Sequence, residues 1–361
     1  MSRTGYDEAK LQADALGFLR FSCAVFIIIF HYNKMTGGAH DDPRLPLYAW
    51  LRLPYVYGGE LVELFFIVSG FVFCLFYKER IAKRAIGAGR FIIHRLGRLL
   101  PSYWLSTLVI VGAGFISRRV LGSFISFAGG SVRDLKSLPF DLLCLNFWDP
   151  VNGVAWYLAV NIICYALFFW FFRISNSAVR YSAVVISIAA SVLYVVAGPG
   201  NSITNIARGI AAFGVGIGVA YVCSRSSGKK TVIITALVLL TASVVILCIT
   251  RSFRWITEVF LLYPSVLILM TNWVPLRKIV SVKLFQTLGD YSYCIYICQT
   301  AVMGLIFLLG GVMGFNNWYT WYSFIFVILS IVVVGIVMYY IWDTPMRKRM
   351  NKLEDKINER F

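Results

Sequence analysis

Apolar residues fill the chain in runs of about twenty, one after another, from near the N-terminus almost to the C-terminus. The runs are continuous and lack the apolar–polar alternation of a membrane β-strand, so they read as membrane-crossing helices. Ten spans are predicted, at 16–32, 61–77, 99–116, 154–172, 181–197, 206–222, 231–249, 255–271, 291–309 and 322–341. The longest polar segments between them are 33–60, 78–98 and 117–153, and a basic tail follows Asp343. The pattern shows no internal repeat and no soluble insertion of domain size. The expected fold is therefore an all-α polytopic helical bundle, one membrane domain over 1–361. Its transmembrane core covers about 16–342, between a short leader and the basic tail.

Composition agrees with this reading. Only 14% of residues are charged and the mean hydropathy is +0.75, against about a quarter charged in soluble domains. The leader "MSRTGYDEAKLQADALG" is too long and too acidic for a signal-peptide n-region, so the first run is kept as a span. With a cytoplasmic N-terminus, 24 of the 34 Lys and Arg residues fall on the inner side. Both termini are thus expected in the cytoplasm. Topology then accounts for most of the net charge of +17, and no soluble basic domain remains for nucleic-acid binding. The eight cysteines and three histidines have no metal-ligand or disulfide spacing, and no metal is expected. Gly214 and Gly218 have the spacing of a close helix–helix approach.

Two ionisable residues interrupt the first run. In "LRFSCAVFIIIFHYN", Arg20 and His31 are eleven residues apart, only about 20° past three full turns, and some 16 Å apart along the axis. One reading has Arg20 snorkelling to the inner headgroups and His31 in the outer interface. The other has both lining a polar passage through the bilayer. The segment "RLGRLLPSYW" places Arg95 and Arg98 on one helix face at the expected inner mouth of the third span, where they suit an anionic ligand. In "GGELVELFFIVSGFVF", Glu63 enters the second span near the level of His31, where a carboxylate can orient an imidazole or pair with a nearby cation. Ser69 and Gly70 read as packing positions, since no nucleophile elbow surrounds them.

Taken together, these segments resemble the integral-membrane acyltransferase family 3, the bacterial glycan O-acyltransferases. The likeness covers nearly the whole chain. The Arg, ten residues, His motif is matched by Arg20 and His31, "VELFFxxSGF" from Val62 to Phe71, and the arginine pair before a proline by "RLGRLLPSYW". "PVNGVAWYLAVNIICYALFF" is similar to the family's fourth-helix motif, "LGDYSYCIYICQ" to its "SYSIYLxH" segment, and "WDTPMRKRM" to its closing acidic-x-Pro stretch. The "VELFF" and "PVxGVxW" forms are closest to the exopolysaccharide acetyltransferase branch. Asn161 stands where the family is often acidic, Gln299 where His is common and Asp343 where Glu is usual.

The resemblance implies O-acyl transfer, acetyl by default, from cytoplasmic acetyl-CoA as acyl donor to a hydroxyl of a cell-surface or lipid-linked glycan. It implies a bacterial cytoplasmic (inner) membrane location, with the lipid bilayer, the acyl-CoA and the glycan as partners, and it leaves the oligomeric state open. Carried onto this sequence, it makes His31 the general base, with Glu63 orienting it. Arg95 and Arg98 would hold the coenzyme phosphates, and Arg20 would guide the donor. The rival reading is a proton-coupled secondary transporter with His31 and Glu63 as relay; it would favour broken helices repeated in two halves, which the sequence does not show.

Overall fold

The computed structural model describes residues 10–122, 138–146, 150–174, 176–198, 202–226, 229–250 and 254–358. The first nine residues of the expected leader, and residues 123–137 and 147–149 of the 117–153 segment, lie outside the described residues. The described chain is helical, in the order α1 Gly17–Thr36, α2 Tyr48–Tyr57, α3 Leu61–Ala82, α4 Ala88–Leu121, α5 Trp156–Ile174, α6 Asn176–Ala197 and α7 Ser202–Ser226. There follow α8 Lys230–Ile249, α9 Tyr263–Asn272, α10 Val274–Val280, α11 Lys283–Val312, α12 Trp321–Met338 and α13 Thr344–Asn358. Single π-helical turns, Glu258–Leu262 and Tyr339–Asp343, lead into α9 and α13.

Nine helices among the described residues are long and apolar enough to cross a bilayer, matching nine of the ten expected spans. The remaining one, 181–197, lies within the 22-residue helix α6, Asn176–Ala197. Helix ends extend well past the apolar runs, because amphipathic turns continue a helix without adding to hydropathy. The clearest case is α4, which begins at Ala88 and so incorporates Arg95 and Arg98 into the rod that carries the third span. At 34 residues it is about 50 Å long, more than the roughly 30 Å hydrocarbon layer needs. The expected 78–98 loop shrinks to the link between Ala82 and Ala88, and the 33–60 loop contains α2.

The chain forms two compact units, each built from three stretches. One comprises Met1–Cys23, Val62–Gly87 and Val160–Asp290; the other comprises Ala24–Leu61, Ala88–Ala159 and Tyr291–Phe361. In the first unit α6 packs along α7 through Ala190, Ala207 and Ala211. Helices α3 and α7 meet at backbone distance: a Cβ on Gly70 would strike the Phe213 carbonyl oxygen, and one on Gly216 would strike that of Ile67. Gly216 therefore makes the close approach expected of the Gly214–Gly218 pair, and Gly218 faces open space. Helix α8 is apolar all round and most of it is uncovered, with Ala236 and Ser243 on its inner stripe. In the second unit Ile110, Val151 and Ala301 form a core cluster, and Gly335 lets α12 approach α11 at Ile295.

Candidate active site

Helix α1 carries Arg20 at its start and His31 toward its other end, on one unbroken rod. Both are partly buried. His31 belongs to the second unit, where its Nδ1 lies 3.0 Å from Gln299 Oε1 on α11. The orientation of that amide is fixed, because Gln299 Nε2 donates to the Tyr296 carbonyl at 2.8 Å, and a backbone carbonyl only accepts. Oε1 must then face the imidazole, so Nδ1 carries a hydrogen and, in the neutral ring, Nε2 carries the lone pair. Gln299 is itself fully buried, and Tyr296 is pinned by its hydroxyl, which donates to the Val154 carbonyl at 2.9 Å. Asn152, of the "PVNGVAW" segment, is buried beside this helix and donates to Ser106 Oγ and the Ile297 carbonyl, both at 3.1 Å. The segment thus anchors the stretch of α11 that carries Gln299.

Glu63 lies in the first unit, 1% exposed near the start of α3. Its Oε1 accepts from the Arg208 guanidinium of α7 at 2.5 Å and from Trp255 Nε1 at 2.9 Å. Tyr194 packs on the Trp255 ring, with centroids 4.4 Å apart. Of the two roles open to this carboxylate, the structure displays pairing with a cation. Asn161 is buried in the same unit, with Nδ2 3.5 Å from Ser69 Oγ.

Arg95 and Arg98 lie one turn apart on α4. Arg95 is buried with its guanidinium 5.5 Å from the Phe91 ring, whereas Arg98 is exposed. Asp343 is fully buried, accepting from Ser102 Oγ at 2.5 Å and from Arg347 one turn later. At the far end of α1, Asn33 Nδ2 lies 3.2 Å from His40 Nε2, and His40 stacks on Phe30 with ring centroids 4.0 Å apart. Burial holds the His40 imidazole below its ordinary pKa, and Lys34 adds to that. In the same loop the Arg44 guanidinium bound to Asp42 holds that carboxyl below the usual carboxylate range.

A family model described as an acyltransferase domain, that of acyltransferase family 3, matches residues 14–340. The chain belongs to this family. No curated protein and no solved structure matches it significantly. As a family 3 member it is a multi-pass membrane acyltransferase. In this family 3 chain, Gln299 was legible only as a departure from a common His; its role as the His31 partner needed the register of α11 against α1. Arg208 and Trp255 carry no motif signal, and Ser102 and Arg347 lie in "RLGRLLPSYW" and "WDTPMRKRM" with no role given there; the fold brings them to Glu63 and Asp343.

Proposed function

We propose that the protein transfers an acetyl group from cytoplasmic acetyl-CoA to a hydroxyl of a cell-surface or lipid-linked glycan, in a bacterial inner membrane with both termini inside. The observation that carries this reading is the Gln299 amide fixing His31 with the Nε2 lone pair available. Nε2 accepts the acceptor hydroxyl proton as the oxygen attacks the thioester carbonyl, forming the C–O bond. The tetrahedral intermediate then breaks its C–S bond, and the imidazolium returns the proton to the leaving thiolate. Base assistance of this kind is worth about 10²–10⁴-fold. Arg95 and Arg98 bind the donor's phosphates on α4, and Arg20 guides the donor along α1 toward His31.

The test is purified protein in proteoliposomes with acetyl-labelled acetyl-CoA and a glycan extract, for wild type, His31→Ala and Arg20→Ala. Label enters glycan only with wild type; His31→Ala still binds acetyl-CoA, and Arg20→Ala binds it poorly. Undiminished transfer by His31→Ala rejects the base. Proton-coupled solute movement without acetyl-CoA consumption favours the transporter reading.

A further inference from the structure

Helix α13 lies antiparallel against the start of α4 in the second unit, and three contacts set the register. Trp342 Nε1 donates to the Pro101 carbonyl at 2.7 Å, and Ser102 Oγ donates to Asp343 at 2.5 Å. Two turns further along α13, Met350 sits on Gly97, where an added Cβ would come within 3.0 Å of the Met350 Cβ. Arg347 falls between these ties, at the level of Arg98. The Cys294 Sγ of α11 lies 3.7 Å from Ser102 Oγ.

Arg347 is fixed but not saturated. One edge of its fork is held by the buried carboxylate of Asp343, while its Nε is buried with no hydrogen-bond partner. Thr344 Oγ1, three residues earlier on the same helix face, is buried in the same condition. A guanidinium carries five donors in a rigid fork, and phosphate oxygens match that geometry bidentately. Arg95 and Arg98 lie on the facing helix.

We infer that α13 forms the second side of the phosphate site on α4, and that Arg347, positioned by Asp343 and Ser102, binds a phosphate of the acyl donor beside Arg98. The inference rests on the coenzyme-thioester reading above. The chemistry it names is a phosphate ester, which a lipid headgroup also offers, so the test separates the two sources.

Full-length protein is placed in nanodiscs of phosphatidylcholine alone, and in others containing phosphatidylglycerol, and titrated with acetyl-CoA and with S-acetylpantetheine, which lacks the nucleotide phosphates. In the neutral discs R347Q should weaken acetyl-CoA binding about tenfold and leave S-acetylpantetheine unchanged. K348Q, which removes an exposed neighbouring charge, should stay within about twofold of wild type. An unchanged R347Q, a loss shared equally by K348Q, or a loss confined to the phosphatidylglycerol discs overturns the inference. If R347Q does not fold, R347K keeps the charge without the fork; about a threefold loss supports the site, and none overturns it. Binding lost in R95A/R98A but kept in R347Q removes the inference alone. Wild type that binds no acetyl-CoA removes the donor reading with it.

Discussion

Gln299 holds His31 through one hydrogen bond and is itself held by another: Oε1 lies 3.0 Å from the imidazole Nδ1, and Nε2 donates to the Tyr296 carbonyl at 2.8 Å. A neutral amide fixes the tautomer without adding the charge that a carboxylate in the same place would supply. Replacing it therefore separates orientation from basicity. Gln299→Leu should reduce kcat at least about tenfold with donor affinity unchanged, since the ring loses its preferred tautomer. Gln299→Glu should favour the imidazolium and move the acidic limb of the kcat/KM profile to higher pH. A Gln299→Glu profile that superimposes on wild type would count against Gln299 as the positioning residue.

The Glu63–Arg208 pair makes a different prediction. Both side chains are largely buried, and Oε1 of Glu63 also takes the Trp255 N–H. Removing one partner breaks the ion pair of the other charge in a poorly solvated place, at a cost of roughly 3–5 kcal/mol. Glu63→Gln and Arg208→Gln should each lower Tm markedly in detergent, and the double variant should lose clearly less than the sum. Strict additivity in that cycle would show that the pair is not coupled. If Glu63 instead tunes the base, Glu63→Gln will shift the pH–rate profile at unchanged Tm.

These two sites show where the sequence was legible. The spans came from continuous apolar runs, a signal carried by each segment alone, and nine reappear as long apolar helices. Arg20 and His31 were placed on one helix by spacing within a single segment, which helical geometry determines. Partners between segments were less accessible. Gln299 lies 268 residues from His31, and Arg208 lies 145 from Glu63. No periodicity within a helix says which rotation it presents to another. Helix extensions such as residues 88–98 of α4 were hidden for a related reason, because their amphipathic composition resembles a polar loop when only hydropathy is read.

The same limit hid the glycine contact between α3 and α7. Small residues at four-residue spacing marked Gly214 and Gly218, yet Gly216 is the residue against the Ile67 carbonyl oxygen, reciprocated by Gly70 against that of Phe213. Gly216→Ala forces two helices apart and should cost about 1–3 kcal/mol, seen as a lower Tm and reduced yield of folded protein. Gly218→Ala meets nothing and should match wild type or exceed it slightly, since alanine favours the helix. Equal behaviour of the two variants would mean that the helices do not approach at Gly216.

His40 provides the pH-dependent case. Its ring stacks on Phe30 and its Nε2 faces Asn33 Nδ2, with Lys34 nearby. Burial lowers its folded-state pKa below the unfolded value, so between those two values the unfolded chain binds more protons. Stability from the neutral ring is therefore complete above about pH 6.5 and is lost as the pH falls toward the folded-state value. Protonation also turns Nε2 from an acceptor into a donor facing the Asn33 N–H groups. Wild-type Tm should fall between pH 7.5 and 5.5, and His40→Phe, which keeps an aromatic ring beside Phe30, should show a shallower fall. The comparison is made by difference because other groups titrate in the same window; identical slopes for the two proteins would remove His40 as the source.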